Sequence, residues 1–252
     1  MPVAHYKAIL SYDGTNFAGF QRQAKARTIQ GEVETALRQL GWAQRVILAA
    51  GRTDSGVHAA GQVIAFELGW AHSPGDLLSA LNASLPEDIA VQQVEVVGND
   101  FHPRYDALGR RYGYTIFCDP VRNPLRERYA WRVWPEVDPV MLMQAAPLFW
   151  GEHDFRAFGT PPRPGGSTIR SVFVSEWNQV SESGFVFEIE SQAFLFHLVR
   201  RIVRLQIDVA QGRLPNHRIA LCLSGEHPDP VMGLAPAQGL NLLSVRYPEN
   251  AN

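Results

Sequence analysis

VILAAGRTDSGVHAAGQVIAFEL, residues 46–68, sets the frame for the chain. Its ends, 46–50 and 62–68, are apolar runs that read as strands. Between them lies GRTDSGVHAAG, in which Gly51, Gly56 and Gly61 permit tight turns and the close approach of a large ligand. Upstream, residues 5–12 read as a strand that stops at the turn-forming pair Asp13-Gly14. Thr28 is placed to cap a helix over 29–40, with Ile29, Val33, Ala36, Leu37 and Leu40 on one face. Downstream, Ser73 precedes Pro74 at the head of a helix reaching Leu81. Residues 89–97 alternate as a half-buried strand does. The order strand–helix–strand–strand–helix–strand is that of a ferredoxin-like split βαβ unit.

The rest of the chain repeats the rhythm. Residues 107–117 form a strand with Tyr112, Tyr114 and Ile116 on one face and Arg111 and Gly113 on the other. Asp138 caps a helix running to about Phe149. Strands follow at 170–178 and 184–192, then helices at 195–211 and 216–224, and a last strand at 242–247. TPPRPGGS, residues 160–167, reads as a flexible loop. The expected class is α+β: two ferredoxin-like halves, 1–104 and 105–252, sharing a mainly antiparallel sheet flanked by helices.

Composition removes several alternatives. With 252 residues, 46% hydrophobic and 19% charged, the chain has a globular make-up and material for one large core or two. No apolar run approaches the roughly 18–20 residues that span a bilayer. The N-terminus lacks the pattern of a signal peptide. Cys118 and Cys222 form no CxxC pair, which argues against a disulfide scaffold or zinc site. The expected location is the cytoplasm. The net charge is −2, yet residues 101–135 carry seven arginines against Asp106, Asp119 and Glu127. A basic stripe on a mildly acidic body suits a phosphate-tracking groove. It also suits a solvated surface, because 21 of the 23 basic residues are arginine.

Three segments could carry chemistry. In the glycine-rich loop, Asp54 has the residue type of a nucleophile, base or metal ligand, and equally that of a turn aspartate. Ser55 and His58 beside it do not by themselves make a triad. The eight histidines are scattered, with neither HExxH nor paired Cys/His spacing, and there is no P-loop or GxGxxG; neither metal nor nucleotide cofactor is expected. In RRYGYTI, Arg110 and Arg111 beside Tyr112 suit phosphate contact and stacking on an unpaired base, although both tyrosines also fit a plain sheet core. In FLFHLVRRIVRLQIDVA, residues 194–210, Leu198, Ile202, Leu205 and Val209 make a core stripe. Arginines projecting from such a helix want carboxylate partners. Asp54 is one candidate, and a local Arg204–Asp208 pair is the simpler one.

Over nearly its whole length the chain resembles the tRNA pseudouridine synthase A family. The matching segments are YDG (12–14) with GFQRQ (19–23), AGRTDSGVHA (50–59), LNASLPEDIAV (81–91), DFHPRYDA (100–107) with RRYGYTI, GEHDFRAF (151–158), AFLFHLVRRIV (193–203) and QGLNLLSVRYP (238–248). Phe17, Phe20, Ser55, Arg204 and Gln238 depart from the usual pattern. The resemblance implies the pseudouridine synthase fold and the isomerisation of uridine to pseudouridine at positions 38, 39 and 40 of the tRNA anticodon stem-loop. It makes Asp54 the catalytic carboxylate, Tyr112 the ring against the target uracil, Arg52 the arginine beside the flipped nucleotide, and Arg200 the carboxylate's ion-pair partner. It implies a homodimer, with no metal or cofactor. A non-catalytic RNA-binding module is a rival reading, opposed by the intact Asp54 and Tyr112. An aspartate-dependent nucleoside hydrolase is another, opposed by the basic stripe.

Overall fold

The first strand does end at Asp13, whose side chain accepts the Thr15 amide and opens a short 3-10 turn, Gly14–Asn16. From there the computed structural model, which describes residues 3–161, 163–224 and 230–248, follows the expected rhythm with revised boundaries. The elements are β1 (Val3–Tyr12), α1 (Ile29–Gln39), β2 (Leu48–Ala49), β3 (His58–Gly69), α2 (Pro74–Ser84), β4 (Ile89–Val97), β5 (Gly109–Cys118), α3 (Pro124–Glu127), β6 (Trp131–Val133), α4 (Pro139–Ala145), β7 (Gly151–Asp154), β8 (Ile169–Gln179), β9 (Gly184–Ser191), α5 (Leu198–Ala210), α6 (His217–Leu223) and β10 (Leu240–Arg246). They form two compact units. One holds the described residues of Met1–Leu108 and Asn241–Asn252, the other Gly109–Leu240.

In the first unit β4 pairs with β1, β1 with β3, and β2 with β3, all antiparallel, which is the strand order of a split βαβ unit. Thr28 caps α1 by accepting the Gly31 amide, and Ser73 caps α2 in a reciprocal capping box with Asp76. Tyr6, Ala8 and Leu10 of β1 are buried with Val33 and Leu37 of α1, Leu77 and Leu81 of α2, and Ile64 and Phe66 of β3. The fully buried carboxylate of Glu34 is satisfied by Arg22, Gln30 and the Ile47 amide, which fixes the residues after Phe20 to α1.

Two expectations need correction here. β3 begins at His58, four residues before the expected 62, because its first residues are paired on both sides: Ala59 with Tyr12, and His58 and Ala59 with Asn241 and Leu242 of β10, which runs parallel. Gly61 allows this approach, since a Cβ there would lie 2.4 Å from the Leu243 carbonyl oxygen. For the same reason the division at 104/105 fails for the C-terminal strand, which groups with the first unit. Leu108 donates to the Arg246 carbonyl and the Tyr247 hydroxyl to that of Pro103.

In the second unit β5, β9, β8 and β7 pair antiparallel in that order, and β6 runs parallel to β5. Leu198, Ile202, Leu205 and Val209 are all buried, as their stripe requires. Phe149, Phe155 and Phe158 of the same unit are fully buried and cluster, Phe158 meeting both other rings edge-on. The short elements α3, β6 and β7 carry too few periodic residues to be read from sequence. Helix α5 starts at Leu198 rather than 195, because Phe196 is drawn into a bridge with Thr160 and His197 takes left-handed backbone, φ 66°.

Candidate active site

The loop from Gly51 to Val57 carries Asp54 at its turn, where Val57 donates to the Asp54 carbonyl. Polar bonds from the end of β1 and the segment after it hold it on both sides. The Tyr12 hydroxyl meets Thr53 Oγ1 at 2.8 Å, the Phe20 amide donates to the Thr53 carbonyl, and Ser55 Oγ donates to the Phe17 carbonyl at 3.0 Å. Gly19 sits in left-handed backbone, φ 98°, where a Cβ would lie 2.9 Å from the Thr53 oxygen. Gly14 is tighter still, for its Cβ would lie 2.0 Å from the Val57 oxygen. Thr53 and Val57 are buried, whereas Asp54 between them is half-buried. The loop is thus a firmly held mount for Asp54. Arg52, on the same loop, is exposed and makes no ion pair among the described residues.

The residues beside Asp54 do not form a triad. The Ser55 hydroxyl is committed to Phe17, and His58 lies buried in β3 with Nδ1 accepting from the Gly14 amide at 3.1 Å. Ser55 is therefore a loop clamp. Phe17 and Phe20 are buried; the Arg27 guanidinium lies 4.2 Å from the Phe17 ring centre.

In the second unit β5 sorts its aromatic residues. Tyr114 is fully buried, donates to the Pro236 carbonyl at 2.7 Å, and packs so closely on Gly239 that a Cβ there would lie 2.6 Å from its ring. Burial pushes its phenol well above the ordinary value, despite the opposing charge of Arg200. Tyr112, two residues earlier on the same face, is half-buried and meets the Phe194 ring edge-on at 5.1 Å. Arg110 is buried and donates to the Gln192 carbonyl at 2.7 Å. Arg111 donates through Nε and Nη2 to Glu188 at 2.7 and 2.6 Å. Neither is a plain solvated cation.

On α5 the three arginines divide. Arg204 takes the local partner, Asp208, at 2.8 Å, and Arg213 binds the same carboxylate. Arg200 donates to the Ala235 carbonyl at 2.7 Å, and its own carbonyl accepts the Ala235 amide. Arg201 donates to the Phe158 carbonyl. Sequence reasoning missed Thr53, Ser55 and Gly19 as the loop's supports. The signal that points to them is the joint presence of GFQRQ and AGRTDSGVHA, two segments whose backbones must meet.

The chain is mixed α+β, with a mainly antiparallel sheet in each unit and a carboxylate on a clamped glycine-rich loop. Comparison with known proteins shows its class. The family model described as tRNA pseudouridine synthase matches residues 8–106 and 145–248. Among curated relatives, "tRNA pseudouridine synthase A" of Shouchella clausii is 39% identical over 242 residues, covering 94% of this chain and 91% of the relative. Its namesake from Lactiplantibacillus plantarum is 35% identical, covering 97% and 95%. That from Geobacter sp. (strain M21) is 36% identical, covering 96% and 98%. The chain belongs to the tRNA pseudouridine synthase family and is an isomerase. Among solved structures, the crystal structure of a Cbf5-Nop10-Gar1 complex aligns with a TM-score of 0.40 at 12% identity, over 94% of this chain and 48% of that one. Among the described residues no helix is long and apolar enough to cross a membrane.

Proposed function

We propose that this protein converts uridine to pseudouridine at positions 38, 39 and 40 of the tRNA anticodon stem-loop, with Asp54 as the catalytic carboxylate. The observation that carries the reading is the mount of Asp54: a half-buried carboxylate at the tip of a loop whose neighbours, Thr53 and Ser55, are both tied down. A turn aspartate needs no such mount. A group that must meet a flipped nucleotide at one position does, because misplacement by about 1 Å costs on the order of a hundredfold in rate.

The chemistry fits these residues. The target base leaves the stack, at a cost of a few kcal/mol. The bond from C1′ to N1 breaks, the uracil turns, C5 bonds to C1′, C5 loses its proton and N1 gains one. A carboxylate serves this sequence as a nucleophile or as a base that removes a sugar proton to give a glycal. Tyr112 offers its ring to the uracil, Arg52 a cation to the flipped nucleotide, and Arg200 a positive charge as the ion-pair partner of the Asp54 carboxylate. Arg110 and Arg111 extend the basic strand toward the RNA, Arg111 exchanging its Glu188 bond for phosphate. The protein acts in the cytoplasm as a homodimer, the commonest symmetric assembly, which doubles the basic surface offered to tRNA. Incubation with unmodified tRNA transcript and with free uridine, followed by pseudouridine mapping, tests the reading. Pseudouridine at 38–40 in tRNA alone is expected. Tight tRNA binding without isomerisation would make the protein a binding module, and release of free uracil would make it a hydrolase.

A further inference from the structure

The turn into α5 holds two aromatic side chains that the reaction described above does not use. Phe196 is 56% exposed, a large apolar ring in water. Its backbone is pinned: its amide donates to the Thr160 carbonyl at 3.0 Å, and the two residues form an isolated β-bridge. Gly159 makes room for it, since a Cβ there would lie 2.6 Å from the Phe196 carbonyl oxygen and 2.8 Å from Leu195 Cβ. The next residue, His197, has φ 66°. Among described non-glycine residues it is the one with left-handed backbone, a conformation costing on the order of 1–2 kcal/mol. The strain places the His197 ring against Phe196, centroids 3.6 Å apart and planes 29° from parallel. A flexible surface phenylalanine needs none of this.

Two arginines of the same unit point to an anionic partner. Arg201, one turn along α5, is held by the Phe158 carbonyl, one residue before Gly159, and meets no carboxylate among the described residues. Its Nε is buried without a hydrogen-bond partner. At the far end of the 160–168 loop, Arg170 is in the same state, bonded only to the Ser167 and Ile169 carbonyls. Desolvated cations without a counter-charge favour a ligand that brings one.

We propose that the Phe196–His197 pair is a stacking platform for an unpaired nucleobase of the RNA substrate, with Arg201 facing that nucleotide's phosphate. An aromatic face flanked by guanidinium groups accepts any base by stacking, so the platform positions the RNA without reading its sequence. The inference rests on the proposed action on tRNA, and the test separates the two.

The full-length protein is assayed for Kd with unmodified tRNA transcript, alongside pseudouridine formation by the wild type. Phe196→Leu is expected to weaken binding by about five- to a hundredfold, the range for loss of one stacked base, while Phe196→Trp stays within about threefold of wild type. The ring is exposed, so melting temperature is expected to hold; if Phe196→Leu lowers it, the comparison of Phe196→Tyr and Phe196→Trp with wild type stands in its place. Wild-type affinity in Phe196→Leu, or a loss in the aromatic variants as large as in Phe196→Leu, overturns the platform. A wild-type protein that makes no pseudouridine, with Phe196→Leu still losing affinity, overturns the proposed reaction and leaves the platform standing.

Discussion

Two turns carry the side chains that matter most, and they are built in opposite ways. The Gly51–Val57 loop gets its shape from glycine and from hydrogen bonds: Gly56 takes φ 77° without strain, and Tyr12, Phe17 and Phe20 tie Thr53 and Ser55 in place. The turn from Leu195 to Arg201 gets its shape from sterics, with a non-glycine residue in left-handed backbone and glycine displaced to the facing segment at Gly159. Where glycine occupies the difficult position, the backbone is what is wanted. Where histidine occupies it, the strain is held in place for the side chain.

The comparison breaks first at its glycines. A Cβ at Gly14 would lie 2.0 Å from the Val57 oxygen, backbone against backbone, with no flexible side chain to yield. Gly14→Ala is expected to destabilise by about 3 kcal/mol, lowering the melting temperature by roughly 6–12 °C and abolishing pseudouridine formation. Gly159→Ala meets the Phe196 carbonyl oxygen at 2.6 Å and Leu195 Cβ at 2.8 Å, a looser clash than at Gly14, so about 1–2 kcal/mol is expected, with weaker tRNA binding. Thermal melts of both variants check the ranking, and equal, negligible shifts would show that neither turn is sterically fixed.

His197→Gly sharpens the contrast. Glycine adopts φ 66° freely, so the melting temperature is expected to hold or rise slightly, while tRNA affinity falls by about threefold or more as the Phe196 ring loses its backing. A gain in stability with unchanged affinity would show the strain to be without use.

Much of the first turn's surroundings is legible in the sequence, and little of the second's. The Thr28 and Ser73 caps and the strand Ile89–Val97 follow from local chemistry, a hydroxyl before a helix and a two-residue alternation. The start of β3 at His58 does not, because it depends on Tyr12 and Asn241, distant in the chain. Nor does the split between Tyr114, locked on Pro236 and Gly239, and Tyr112, left half-buried on the same face of β5. Two-residue periodicity puts both on one side and cannot tell which lies under the 3-10 turn Ala237–Gly239. At α5 the periodicity of Leu198, Ile202, Leu205 and Val209 extends the helix to 195, and the bridge to Thr160 with the left-handed backbone of His197 makes it start at 198.

The smallest expected effect concerns the loop that faces Phe196. Burial pushes the Asp154 carboxyl up, but hydrogen bonds from Arg156 and Thr168 and the Arg156 charge outweigh it and hold the group below the usual carboxylate value. Its contribution is therefore fully present above about pH 4, the unfolded value, and is lost as pH falls through the lower folded value. Asp154→Asn is expected to lower stability slightly at neutral pH and to flatten the acid limb of the melting profile. An acid limb as steep as that of the wild type would remove Asp154 from the account.

On the proposed reaction, the Asp54 mount exists for catalysis rather than for the turn. Asp54→Asn keeps the size and hydrogen-bonding reach of the side chain and removes its charge. In a single-turnover assay on unmodified tRNA transcript, the variant is expected to form no pseudouridine, with a melting temperature within about 2 °C of wild type and tRNA affinity within about threefold. Pseudouridine formation at a rate near wild type by the folded, tRNA-bound variant would contradict it.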